Sequence, residues 1–350
     1  VQRLDHLDGL RGIAAISVAV FHFLRAFKPE LVSPHIIAQT PISSLWNGHF
    51  AVHVFFALSG FLFFGKLYGK SPVEGVIAGA KRYARLTLPI IPVSLLAWGL
   101  HTVGGFHNTQ AAILSGSDWL GRWYQFQPNL WLAIAEPILG MYVSFDPLRT
   151  YNSNLWTISY ELFMVWAVIS LAIFSGRAPL PITLCLMAVI AWASGSPYLL
   201  TFLLGAIVWL AVRGRTQSPA LGLLAVFVGL WMGCAAQLSE VMWPIQWPLG
   251  AALVLLGSCL APSVKNALST QIAVHAAKLS FGIYLVHFLT VNSFASWAFI
   301  NSGSIVVTAL VYAASTLVGA VAFFNLIDRP VTIAVNKMFK RIRISHTAQS

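Results

Sequence analysis

The fold is decided by the stretch LRGIAAISVAVFHFLRAFK, residues 10–28. Between Arg11 and Arg25 it holds a single ionisable group, His22, and is otherwise apolar or small. About 20 such residues in a helix cross the hydrocarbon core of a bilayer. Asp5 and Asp8 stand in front of it and no small-x-small cleavage site follows, so it reads as a retained helix rather than a signal peptide. Similar runs recur near 49–66, 86–103, 129–145, 155–174, 179–195, 198–212, 220–238, 247–262, 279–299 and 304–328. Over 350 residues the chain is 58% hydrophobic and only 9% charged, with a mean hydropathy of +0.77. A soluble domain carries about 25% charged residues. Water-soluble enzymes, disordered chains and collagen-like chains are therefore excluded, and the expected fold is an all-α polytopic transmembrane bundle.

Charge placement sets the expected sidedness. Lys66, Lys70, Lys81, Arg82 and Arg85 fall between the second and third runs, and Lys337, Lys340, Arg341 and Arg343 form a basic tail. Arg213 with Arg215, and Lys265 with Lys278, mark two further basic turns. The positive-inside rule places all of these in the cytoplasm. Parity then holds if 129–145, which is short and broken by Glu136-Pro137, is re-entrant or interfacial. About ten crossings remain, with both termini cytoplasmic and only Arg25, Lys28, Arg122 and Arg149 outside. Residues 1–330 are expected to form the membrane domain, and 331–350 a basic cytoplasmic tail able to lie on the inner leaflet. The pI of 9.9 reflects this topology and no nucleic-acid partner is expected. Cys185, Cys234 and Cys259 all lie in apolar runs and suggest neither disulfide nor zinc.

Ionisable groups within a span cost several kcal/mol and usually face a cavity, so each is a functional candidate. Arg11 and His22 are eleven residues apart, which puts them on one helix face about 16 Å apart along the axis. Snorkelling and a hydrogen-bonded core histidine explain the same two residues. Arg82 and Arg85, at i and i+3, share a face and suit a double fork on phosphates; plain anchoring at the membrane surface is the alternative. Glu161 lies about 9 Å into its span, near the depth of His22 at about 12 Å. A carboxylate there could fix an imidazole's tautomer and raise its basicity. His49 and His53 have i, i+4 spacing, but no HExxH pattern or third ligand accompanies them, so no metal is expected. His53, Trp156, Tyr284 and His287 are candidates to line a cavity, or to bond across helices. Trp119, Trp123, Tyr124 and Trp131 suit either an acceptor platform or an interfacial belt.

Read in order, these segments resemble the membrane-bound acyltransferase-3 family. The likeness begins with Leu7-Asp8-Gly9-Leu10-Arg11-Gly12-Ile13-Ala14-Ala15 and Phe21-His22-Phe23. It continues through Phe55-Phe56-Ala57-Leu58-Ser59-Gly60-Phe61, the Arg82 and Arg85 pair, and Leu155-Trp156-Thr157-Ile158-Ser159-Tyr160-Glu161. It closes with Ser280-Phe281-Gly282-Ile283-Tyr284-Leu285-Val286-His287 and Asp328-Arg329-Pro330. The elements span 4–330. Two positions depart: His53 stands where many members carry Asp, and Asp328 where Glu is usual.

The resemblance implies an acyl-CoA-dependent O-acyltransferase of the bacterial inner membrane, with no resident cofactor. Its donor would be acetyl-CoA and its acceptor a hydroxyl, often of a carbohydrate. His22 would be the general base and Glu161 its orienter; a transient acyl-histidine is a second route. Arg11, Arg82, Arg85 and Arg329 would hold the CoA phosphates. Membrane lipid is the other expected partner, and a homo-oligomer is compatible. The competing class is a proton-coupled transporter or flippase, but its usual inverted repeat is not found. A structural scaffold fits less well, because it needs no intramembrane charges.

Overall fold

The computed structural model describes residues 4–33, 40–214, 217–234 and 243–347. Arg215, the Arg343 side chain and the end of the 220–238 run lie outside the described residues. All regular structure among the described residues is helical: α1 Asp5–Phe27, α2 Gly48–Leu67, α3 Pro72–Thr102, α4 Asn108–Ser115, α5 Asp118–Gly121, α6 Leu130–Val143, α7 Trp156–Ser175, α8 Leu180–Ser194, α9 Pro197–Val212, α10 Pro219–Cys234, α11 Trp243–Leu260, α12 Pro262–Leu268, α13 Gln271–Ser302 and α14 Ile305–Arg341. Each expected apolar run falls on a helix. Among the described residues six helices are long and apolar enough to cross a membrane, or seven if the bent pair Ile245–Leu260 and Pro262–Leu268 is one span. α6, α8, α9 and α10 are shorter apolar helices. The protein is thus an all-α, multi-pass membrane bundle.

The chain forms two compact units, Val1–Pro72 with Phe163–Ser280, and Val73–Leu162 with Phe281–Ser350. In the first, α1 packs on α2, α2 on α9, and α10 on α11. With lipid outside, hydrophobicity alone does not drive helices together, so close backbone approach must. Gly60 and Gly205 supply it. A Cβ on Gly60 would run into the Phe202 carbonyl oxygen, and one on Gly205 into the Ala57 carbonyl oxygen. The Ser59-Gly60 motif is therefore a packing device between α2 and α9. Asn47 caps α2 by accepting from the His49 and Phe50 amides at 3.1 and 3.3 Å. Its amide nitrogen also donates to the Gly233 carbonyl at 2.8 Å, and Gln246 donates to the Met232 carbonyl at 2.9 Å. Two carbonyls in the last described turn of α10 accept side-chain bonds this way.

In the second unit α13 packs on α14 and α4. α6 spans about 21 Å at 1.5 Å per residue, less than a bilayer core of about 30 Å. It is held by Tyr83, which donates to the Ile138 carbonyl at 2.7 Å, and by Thr87, 3.0 Å from the Tyr142 hydroxyl. A π turn, Glu136–Gly140, interrupts it where Pro137 sits. α14 contains a second such turn, Phe324–Asp328, just before Pro330. Proline lacks an amide hydrogen and crowds the carbonyl four residues back, so the widened turn lets the helix continue. It runs on past Pro330 to Arg341, so the first part of the basic segment after 330 is helical.

Candidate functional site

In the first unit, Arg11 and His22 lie on one unbroken helix, so their axial separation of about 16 Å holds. Arg11 pairs with Asp8 at 3.1 Å. With both side chains partly exposed, that pair is worth about 1 kcal/mol at most and leaves the guanidinium easy to recruit. His22 is half-buried, with the Phe21 ring centroid 5.5 Å from its own. His53 is buried and contacts Thr201 Oγ1 through Nδ1 at 2.7 Å. His49 lies one turn earlier on α2. Among the described residues no three His, Cys, Asp or Glu side chains gather as a metal-ligand set.

In the second unit the separate motifs converge. Arg82 forms an ion pair with Glu161, and the two side chains are only 25% and 11% exposed. Arg85, one turn on, interacts electrostatically with Asp328, whose carboxylate also accepts from Thr332. Arg82 thus has a paired carboxylate and Arg85 one within electrostatic reach, and the exchange of Glu for Asp at 328 keeps that negative charge. Glu161, expected beside His22, has Arg82 as its ion-pair partner. Arg329, the next residue, is exposed. Trp156 is half-buried and meets Tyr160 edge-on at 5.9 Å.

Tyr284 and His287 clamp the start of α7. His287 Nδ1 donates to the Ile283 carbonyl at 2.7 Å, which leaves Nε2 to accept from Asn154 Nδ2 at 3.2 Å. The Tyr284 hydroxyl donates to the Asn154 carbonyl and contacts Thr157 Oγ1. Asn152, which sequence reasoning missed, donates to the Leu285 carbonyl at 2.8 Å and caps the Asn154 amide at 3.2 Å. Two asparagines before an apolar run are a helix-start signal that could have revealed it. These four residues fix the helix that carries Glu161.

The aromatic loop is a core, not an open platform. Trp119, Trp123 and Tyr124 are buried, whereas Trp131 is 74% exposed. Trp123 meets Phe288 edge-on at 5.3 Å, and Tyr124 stacks on Phe106 at 3.6 Å. Tyr124 has a left-handed backbone, φ 57°, and its hydroxyl donates to the Tyr151 carbonyl at 3.0 Å. Burial holds that phenol well above its ordinary pKa, so it remains a donor.

The profile of the acyltransferase domain family matches residues 4–324. The chain belongs to the acyltransferase-3 family. Acyltransferase MdmB of Streptomyces mycarofaciens is 24% identical over 83% of this chain and 80% of its own length. No solved structure matches. As an acyltransferase-3 protein the chain is a membrane-embedded enzyme that transfers an acyl group from acyl-CoA. The transporter reading gives way to this assignment.

Proposed function

We propose that this enzyme moves an acetyl group from cytoplasmic acetyl-CoA to a hydroxyl of a carbohydrate at or beyond the bacterial inner membrane. In this reading about ten helices cross, both termini are cytoplasmic and α6 does not cross. The observation that carries it is the uninterrupted α1, with Arg11 and His22 about 16 Å apart on one face. That spacing matches the extended pantetheine arm of CoA. Arg82, Arg85, Arg11 and Arg329 bind the CoA phosphates as charge-assisted donors. Glu161 and Asp328 hold the first two guanidinium groups in place.

Chemistry then falls to His22. Its neutral imidazole takes the proton from the acceptor hydroxyl, whose oxygen attacks the thioester carbonyl carbon. The tetrahedral intermediate collapses, the C–S bond breaks, and the imidazolium returns its proton to the departing CoA thiolate. An acyl-histidine would be the two-step version of the same exchange. Glu161 as an orienter of His22 is a second role, secondary to its pairing with Arg82. Purified protein incubated with labelled acetyl-CoA tests the proposal. His22→Ala should abolish transfer at unchanged folding and CoA affinity, and full activity would refute the assignment.

A further inference from the structure

The second unit holds a buried acid that the acyl-transfer chemistry leaves unused. Glu136 is 4% exposed and opens the π turn Glu136–Gly140 of the short helix α6, just ahead of Pro137. Turns of this kind inside a helix frequently mark functional positions. Among the described residues no lysine, arginine or histidine forms an ion pair with it. Its partners are two neighbours in the chain that leads into α7. The Tyr151 amide donates to Oε2 at 3.3 Å, and the Thr150 hydroxyl donates to the same carboxyl. The charged group acting on it is Asp146, an exposed anion. The phenols it acts on are Tyr124 and Tyr151, and His101 of α3 meets the Tyr151 ring edge-on at 6.1 Å.

The segment that Glu136 holds is the entry to α7. Tyr151 is fully buried and pinned at three points. Its amide goes to Glu136, its carbonyl accepts from the Tyr124 hydroxyl at 3.0 Å, and its own hydroxyl donates to the Asn129 carbonyl at 3.2 Å. Thr150 Oγ1 accepts from the Asn152 amide at 3.0 Å, and Asn152 in turn caps Asn154. Glu136 therefore ties the π turn of α6 to the start of the helix that carries Glu161.

A neutral carboxyl is at ease in this setting. Ionised, it is a buried anion with two neutral donors and an acidic neighbour, and burial pushes its pKa up to about 7. Such a charge is relieved by water, which enters when Thr150 and Tyr151 draw back from α6. Released, the carboxyl returns to its ordinary value of 4.5. Protons thus favour the closed state: its advantage is complete below that value and is lost as pH rises to about 7.

We propose that Glu136 is a proton-operated latch. Protonated, it holds Thr150 and Tyr151 against α6; ionised, it lets them go, so acid tightens and alkali loosens the first turn of α7. The latch goes beyond the acyl-transfer reading, and its test needs neither donor nor acceptor.

Amide hydrogen exchange reports local opening, and mass spectrometry follows it on the full-length protein in detergent. Native protein is compared with Glu136→Gln, whose side chain still accepts from the Tyr151 amide but cannot ionise. Comparing the two at one pH cancels the intrinsic pH dependence of exchange. Over peptides covering Thr150 to Trp156, the native-to-variant rate ratio should rise roughly tenfold or more between about pH 5.5 and about pH 8. A peptide of α1 should keep a constant ratio. A ratio over Thr150 to Trp156 that ignores pH, or a rise shared equally by α1, overturns the latch. Thr150→Val is the independent arm and decides the matter if the Gln variant does not fold. It removes a hydrogen bond that favours the ionised carboxyl. With each rate divided by its intrinsic value, the pH at which opening levels off should therefore move up from about 7. A levelling point that stays in place or falls overturns the proposal.

Discussion

Replacing Glu161 with Gln keeps the side chain's shape and removes its charge, which tests whether Arg82 depends on that carboxylate. Breaking a buried ion pair from one side costs about 3–5 kcal/mol. The Arg82 side chain retains 25% exposure against 11% for Glu161, so water softens the loss and the lower end, about 3 kcal/mol, is expected. For a domain of this size that is a fall in Tm on the order of 5–10 °C. The assay is a double-mutant cycle of Glu161→Gln, Arg82→Gln and the double variant, read by thermal unfolding in detergent at fixed scan rate. The double variant should lose less than the sum of the singles by about 2 kcal/mol or more. Calorimetry adds the functional half: Glu161→Gln should leave acetyl-CoA affinity equal to or above that of the native enzyme, because the competing carboxylate is gone, whereas Arg82→Gln should lower it. Additive losses of stability, or identical affinities in all three variants, would refute the reasoning.

Gly60→Ala drives a methyl group into the Phe202 carbonyl, so α2 and α9 must separate, at about 1–3 kcal/mol or more; unchanged melting would deny their close contact. Asn47→Ala removes the cap on α2 and the bond to the Gly233 carbonyl, for a combined loss of about 2–3 kcal/mol, measurable as a lower Tm. Tyr284→Phe deletes the hydroxyl that meets Asn154 and Thr157. It should cost about 1–3 kcal/mol and reduce transfer by loosening the start of α7, and wild-type turnover would show that the clamp is dispensable.

The helices were legible because hydrophobic length is a local property: α1, α2 and α7 follow from uninterrupted apolar runs. Partner choice was not local. Glu161 is 79 residues from Arg82, and nothing in either segment's composition says that this carboxylate answers that guanidinium. The rings packed against the two α2 histidines were invisible for the same reason. His49 and His53 show their i, i+4 spacing in sequence, yet the rings they stack on, Trp247 and Tyr198, belong to α11 and α9.

The paired arginines of α3 carry one further consequence. Arg82 is already paired with Glu161, and Arg85 acts electrostatically on Asp328, so under the proposed assignment the CoA phosphates would meet a balanced cluster rather than bare positive charge. Recruitment would then be anion exchange, in which Glu161 and Asp328 loosen as phosphate oxygens take over. On release the carboxylates would re-form their bonds and offset part of the work of dissociation. Such an arrangement would give up tightness of grip in return for easier release.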